Sequence, residues 1–131
     1  MALQAGIATT AVGVHASLDR SVEESANLIV DGVSLLQGVV DLERYAGRAI
    51  VEFCVVATLD ESALRERFKV RASSQPSRLA HRYLENFDAI LAIQRHLIDE
   101  AERRGRLVVD NADLDQSAQA IIGHVLDKLR H

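Results

Sequence analysis

The sequence predicts an α/β fold with three layers, in which helices cover both faces of a small, mostly parallel sheet. Two short stretches, residues 28–36 and 49–58, are rich in apolar and β-branched residues, as parallel strands buried on both faces are. They alternate with longer stretches whose apolar residues recur every three or four positions, which is typical of amphipathic helices. A length of 131 residues with 48% hydrophobic residues suits a single domain over residues 1–131.

The elements are predicted in the order helix, strand, strand, helix, helix, strand, helix. The first helix covers residues 2–26 and is interrupted near residues 19–21. The strand over residues 28–36 begins as an apolar run and meets an Asp-Gly turn at Asp31. The strand over residues 49–58 is almost entirely apolar. We expect both strands to be buried.

The second half of the chain is predicted to hold three helices and a short strand. Asp60 caps the first of these helices, which ends in the segment 73–77 around the single proline. A long helix over residues 78–104 stops at Gly105. A third strand over residues 107–110 precedes the last helix, and either of two aspartates, Asp113 or Asp115, caps it.

Composition excludes several classes of protein. Acidic residues outnumber basic ones by 19 to 15, which argues against general nucleic-acid binding. No run approaches the roughly 20 apolar residues of a membrane span, and the first residues do not resemble a signal peptide. Cys54 cannot form an internal disulfide, and the scattered histidines make no zinc motif. We therefore expect a cytoplasmic protein without nucleic-acid or membrane partners.

The segment between Arg65 and Arg82 is strongly cationic. Six of its residues are basic and only Glu66 is acidic. Arg67 and Arg71 are one helical turn apart, and Arg78 and Arg82 repeat that spacing, so each pair can clamp an anion such as phosphate. A solvated helix face is an equally weighted interpretation of the same residues, because most runs of charge are solvated.

Asp31 is the candidate catalytic and metal-binding residue. At the carboxyl end of a strand, a carboxylate can hold Mg²⁺ or accept a proton from a hydroxyl nucleophile. A simple Asp-Gly turn is the alternative, and the dipeptide alone favours it. The chain contains no Gly-x-x-x-x-Gly-Lys-Ser/Thr loop, the segment that cradles the phosphates of a nucleotide.

Four segments, taken together and in order, resemble 2-phosphoglycerate kinases. The segment Asn27-Leu-Ile-Val-Asp-Gly-Val-Ser-Leu-Leu-Gln-Gly38 is similar to a strand and turn that usually reads Ile-Ile-Glu-Gly-Val-His-Leu-x-Pro-Gly in that family. The run from Glu66 to Ala72 resembles the lid helix. The most specific match is Arg82-Tyr-Leu-Glu-Asn-Phe, at the start of the next helix, and Leu107-Val-Val-Asp-Asn111 resembles the closing strand.

The resemblance implies the C-terminal half of a P-loop kinase, with a lid over about residues 61–82. It implies phosphoryl transfer from ATP, with Mg²⁺, to a small phosphorylated acid. Asp31 then occupies the place of the family's strand-end glutamate, and Arg67, Arg71, Arg78 and Arg82 belong to the lid. Ser34 and Gln37 depart from the family's histidine and proline.

The missing phosphate-binding loop leaves several hypotheses open. In the first, the chain is inactive alone, and a complementing chain or an omitted N-terminal segment supplies the loop. In the second, the chain is a non-catalytic remnant that binds an anionic metabolite or a partner protein, and it closes its reduced sheet by pairing its two long strands or by forming a homodimer. A subunit of a different small-molecule or nucleotide kinase is the third hypothesis.

Overall fold

The computed structural model describes residues 2–32, 35, 38–74, 82 and 85–131, with side chains from residue 9 onward. It divides the chain into two compact units, Met1–Phe53 and Cys54–His131. The α/β class and the parallel pairing of strands predicted from the sequence are confirmed. Among the described residues, no helix is long and apolar enough to cross a membrane.

The first unit consists of helix α1, Ala2–Glu23, and the segment that packs on it. Tyr45, in a short 3-10 helix at Glu43–Tyr45, is completely buried. Its hydroxyl donates a hydrogen bond of 3.0 Å to Asp19 Oδ1. The predicted interruption of the helix near residues 19–21 is wrong. The Asp19 carboxylate faces Tyr45 and not its own backbone, so it does not compete with the helical hydrogen bonds.

The predicted strand over residues 28–36 does not form in the part of it that the structure describes. Residues 28–32 have no regular secondary structure, and Ile29 is 95% exposed. A strand is stable only when its backbone groups pair with a neighbouring strand and its apolar side chains are buried. No strand among the described residues pairs with residues 28–32, and their side chains are exposed, so the apolar pattern alone does not make them a strand.

The second unit is built on a two-stranded parallel sheet. Strand β1, Cys54–Ala57, pairs with β2, Leu107–Asp110, in a register that places Cys54 beside Leu107 and Ala57 beside Asp110. The strand predicted over residues 107–110 is confirmed at both ends, whereas the predicted strand over 49–58 shortens to its last apolar residues. This sheet brings Thr58 and Asn111 to the same edge.

The described part of the second unit also contains the helices α2 at Glu61–Ser74, α3 at Phe87–Arg103 and α4 at Leu114–Arg130. Helix α3 packs on both strands, and α4 packs on β2. Phe87, Leu91 and Ala101 on α3 are buried, as their spacing predicts.

The helix ends follow the predicted capping chemistry. Asp60 Oδ1 accepts hydrogen bonds from the backbone of Ser62, at 2.9 Å, and of Ala63, at 3.3 Å. Asp113 caps α4 by accepting from the Gln116 backbone. Gly105, with a φ of +64°, ends α3, and the next backbone N–H donates to Ala101 O at 2.8 Å. The caps fix where α2 and α4 begin relative to the strand ends.

Candidate functional site

The candidate site lies where β1 and β2 end. Thr58 follows β1 and Asn111 follows β2, and the Asn111 backbone N–H donates to Ala57 O at 2.7 Å. The Leu59 backbone N–H donates to the carboxylate of Asp110 at 3.3 Å. Ligands of open α/β sheets bind outside this carboxyl edge, because loops and helix starts gather there.

Arg67, which the sequence predicts to bind phosphate, reaches this edge from the middle of α2. Its Nη1 donates to Thr58 Oγ1 at 3.1 Å, and its Nη2 donates to Asn111 O at 2.8 Å. The guanidinium group therefore spans the ends of both strands. It has five N–H donors, and only two of them are used by the described residues. A fixed cation with spare donors is suited to bind an anion.

Gln94, on α3, fixes the same edge from another side. Its side-chain nitrogen donates to Thr58 O at 3.0 Å, and its side-chain oxygen accepts from Thr58 N at 3.3 Å. The amide thus pairs with the Thr58 peptide groups as a neighbouring strand would. Thr58 is 8% exposed, so these bonds satisfy polar atoms that are hidden from water.

The other basic residues of α2 have different surroundings. Arg71 is exposed, and the described part of the chain offers its guanidinium no partner. Arg65 lies over the ring of Phe87, with its Cζ at 4.3 Å from the ring centroid. Lys69 pairs with Glu66 at 3.0 Å. Neither Arg67 nor Arg71 is paired with a carboxylate among the described residues.

The remaining predicted site residues are Arg82, Arg78 and Asp31, and of these only Arg82 is a described residue of the second unit. Arg82 is exposed, and its carbonyl accepts two hydrogen bonds from Asn86, from the backbone and from the side chain. Arg78 lies outside the described residues. Asp31 is exposed and belongs to the first unit. The sequence predicts Asp31 at the end of a strand, and this prediction is wrong because residues 28–32 do not form one.

The part of the chain that the structure describes holds no ready-made cluster of metal ligands. The described residues contain no group of three or more His, Cys, Asp or Glu side chains that could hold a metal ion. Magnesium at phosphoryl-transfer sites uses one or two protein carboxylates, with phosphate oxygens and water as its other ligands. A single carboxylate such as Asp31 fits that pattern only when a phosphorylated ligand supplies the rest of the shell.

Two ionisable groups, one at the start of β1 and one in the loop that follows it, have perturbed pKa values. Hydrogen bonds from the Ser62 hydroxyl and from the backbone of Ala63 and Ser62 lower the pKa of Asp60, which favours the charged, capping form. Burial raises the pKa of the Cys54 thiol. The thiol therefore stays protonated and behaves as a small apolar side chain, as the sequence predicts.

Sequence reasoning missed Thr58, Gln94 and Asn111. Thr58 could have been found, because it is the first polar residue after an apolar run that predicts a parallel strand. Asn111 follows Asp110 and contributes its backbone carbonyl, so its side chain gives no such signal. Gln94 carries no comparable signal. A glutamine on an amphipathic helix is ordinary, and only the packing of α3 on the sheet brings it to Thr58.

Comparison with known proteins identifies relatives of the chain. A protein named 2-phosphoglycerate kinase from Methanopyrus kandleri is 30% identical over 119 residues, which are 90% of this chain and 36% of that protein. The chain is similar to part of the 2-phosphoglycerate kinases. Proteins of that name from Pyrococcus horikoshii and Pyrococcus furiosus are 29% and 27% identical, over 93% and 90% of this chain.

The chain spans a little over a third of the length of these kinases, between 36% and 39%. The similarity covers nearly all of the chain and confirms the resemblance drawn from its motifs. No family model and no solved structure matches it.

Proposed function

We propose that the chain is the C-terminal part of an ATP- and Mg²⁺-dependent kinase that phosphorylates 2-phosphoglycerate or a similar small phosphorylated acid. The observation that carries the proposal is the position of Arg67, whose guanidinium spans the carboxyl ends of β1 and β2 with donors to spare. The similarity to part of proteins named 2-phosphoglycerate kinase supports the substrate class. In this proposal, residues 61–82 form the lid.

Phosphoryl transfer needs positive charge around the oxygens of the transferred group more than it needs covalent chemistry. We assign that charge to Arg67 and Arg71 on α2, together with Arg78 and Arg82. Arg67 is held in place before the ligand arrives, whereas Arg71 is available to turn toward it. Such fixed and mobile donors together bind a phosphate and then close over it.

Asp31 is proposed to accept the proton of the attacking hydroxyl or to contribute one carboxylate to a metal shell. When bound, Mg²⁺ neutralises charge on the phosphate oxygens of the nucleotide. The 131 residues contain no phosphate-binding loop, so the proposal assigns the β- and γ-phosphates of ATP to a segment outside them. A complementing chain would bring that segment.

A non-catalytic anion-binding protein is the second candidate function. The observation that favours it is the same absence of a phosphate-binding loop from the sequence. Under this alternative, α2 and the strand ends bind a phosphorylated acid, and no transfer follows. Both functions require the arginines to contact phosphate, and they differ in whether ATP is used.

Thermal unfolding of the whole chain in the presence of ligands tests the proposal. A ligand that binds only the folded state raises the unfolding temperature as its concentration rises. We expect 2-phosphoglycerate to raise it, and Arg71→Met to remove most of that rise. Arg130→Met, which removes an exposed arginine from the end of α4, is the matched control and should keep it.

The outcomes with ATP and Mg²⁺ separate the two functions. The kinase is supported if ATP does not raise the unfolding temperature of the chain alone, but phosphorylated product forms when a polypeptide with the phosphate-binding loop is added. No product under any such complementation supports the anion-binding protein. If 2-phosphoglycerate gives no shift, or if Arg71→Met and Arg130→Met behave alike, the arginine assignment is wrong.

A further inference from the structure

We infer that Thr58 and Gln94 are positioning residues that aim the Arg67 guanidinium at the carboxyl edge of β1 and β2. The inference rests on the proposed function, because the group they aim is the one proposed to bind phosphate. Neither residue is assigned a contact with the ligand. Both act through Arg67.

The surroundings of Thr58 support this role. Thr58 is 8% exposed, and three of its polar atoms are engaged by two side chains from different helices. Gln94 on α3 holds its backbone N–H and carbonyl, and Arg67 on α2 donates to its hydroxyl. Once Gln94 fixes the peptide groups, the Thr58 Oγ1 has a defined position. That position sets where Arg67 Nη1 lies.

A second acceptor determines the plane of the guanidinium group. Arg67 Nη2 donates to Asn111 O, which belongs to the residue after β2. The two acceptors lie on the ends of paired strands, and Asn111 is bonded in turn to Ala57. A planar group held at two points has one orientation, so its spare donors point in a fixed direction.

Positioning matters because a free arginine side chain loses rotamer freedom when it binds an anion. Arg67 has already lost much of that freedom in the unliganded protein, so an anion that binds to it causes a smaller loss of side-chain conformational entropy. Arg71 is one turn along the same helix and is exposed without a partner among the described residues. It provides an internal comparison that lacks the positioning contacts.

A double-mutant cycle with Thr58→Val and Arg67→Met tests the inference. Valine keeps the shape of threonine and the backbone bonds to Gln94, but it removes the acceptor for Arg67. We expect Thr58→Val to weaken 2-phosphoglycerate binding by about 3- to 10-fold, as for the loss of one hydrogen bond to a charged group at a partly exposed site. In the Arg67→Met background, the same change should alter binding by less than about 2-fold.

Gln94→Glu tests the other positioning residue. It removes the donor to Thr58 O and should weaken binding by a similar factor in the wild-type background only. The matched control is Gln119→Glu, which adds the same charge at an exposed position of α4. The inference would be overturned if Thr58→Val weakened 2-phosphoglycerate binding equally in the wild-type and Arg67→Met backgrounds. It would also be overturned if Gln94→Glu and Gln119→Glu weakened binding equally.

A measurement without ligand keeps this inference separate from the proposed function. Phenylglyoxal modifies accessible arginines, and peptide mass spectrometry gives the rate at each site. Thr58→Val and Gln94→Glu should each speed modification of Arg67 about 3-fold or more and leave Arg71 unchanged, since they release one guanidinium group only. Unchanged rates at Arg67 would overturn the inference. Faster modification without 2-phosphoglycerate binding would support the positioning and refute the proposed function.

Discussion

Phe87 provides a stringent test of the side-chain contacts between α2 and α3. It is 3% exposed, and its ring meets Phe68 of α2 edge to face, with centroids 5.9 Å apart and planes at 81°. The Arg65 guanidinium lies over the same ring, 4.3 Å from its centroid. The ring thus connects the helix that carries the candidate phosphate-binding arginines to the helix that carries Gln94.

Replacing Phe87 by leucine keeps a large apolar side chain and removes the aromatic interactions. The edge-to-face pair contributes about 0.5–1.5 kcal/mol, and a cation over a ring at an exposed site contributes about 0.5–1 kcal/mol. The poorer fit of leucine adds roughly 1 kcal/mol. We expect Phe87→Leu to lower the free energy of unfolding by about 2–3 kcal/mol.

Urea unfolding followed by far-UV circular dichroism measures this loss. With a slope of about 2 kcal/mol per molar urea, in the middle of the typical range, the midpoint should fall by roughly 1–1.5 M. Ile29→Ala is the control, because Ile29 is 95% exposed and its truncation should change stability by less than about 0.5 kcal/mol. A loss below about 0.5 kcal/mol for Phe87→Leu, or full additivity with Arg65→Met, would show that the ring of Phe87 does not couple α2 to α3.

Three further predictions follow from helix ends and from the buried tyrosine. Asp60→Ala should speed amide exchange in the first turn of α2. The pKa of Asp60 is lowered in the folded state, so the stability that its carboxylate gives is present above the ordinary pKa of 3.8 and is lost as the pH falls through the lowered pKa. A variant whose stability falls in acid as the wild type's does would contradict the capping role. Burial and the hydrogen bond to Asp19 raise the pKa of Tyr45, so the stability it gives the first unit is present below the ordinary value of 10.0 and is lost as the pH rises through the raised pKa. Tyr45→Phe should lower the free energy of unfolding, measured with urea at neutral pH, by about 1 kcal/mol, and its stability should decline less at alkaline pH than that of the wild type. A variant with the wild-type dependence of stability on pH would contradict this prediction. Gly105→Ala should cost about 1–2 kcal/mol in the same assay because of its φ of +64°, whereas Gly123→Ala, within α4 and with nothing within 4 Å of an added Cβ, should be neutral or stabilising; the reverse order would contradict the assignment of the helix end.

Local chemistry made much of the second unit predictable. The strand over residues 107–110, the aspartate caps of α2 and α4 and the end of α3 at Gly105 follow from side-chain chemistry that acts within a few residues. Residues 28–32 show where such reasoning fails. An apolar run becomes a strand only beside a partner strand, and sequence pattern contains no information about whether that partner is present.

The candidate site was predictable only in the part that depends on local sequence. The arginines of α2 stand out by charge, and the structure brings Arg67 to the strand ends. The difference between Arg67, held by two acceptors, and Arg71, one turn away and unpartnered among the described residues, depends on contacts between distant segments. Spacing along a helix cannot distinguish them, because both lie on the same side of it.

Calorimetric titration of the whole chain with 2-phosphoglycerate tests most directly whether these arginines recognise phosphate. Wild-type protein and Arg130→Met should bind with the same affinity. Arg71→Met should bind about tenfold more weakly, as expected for the loss of one charge-assisted contact at an exposed site. Equal affinities for all three proteins, or no heat of binding by the wild type, would contradict the account.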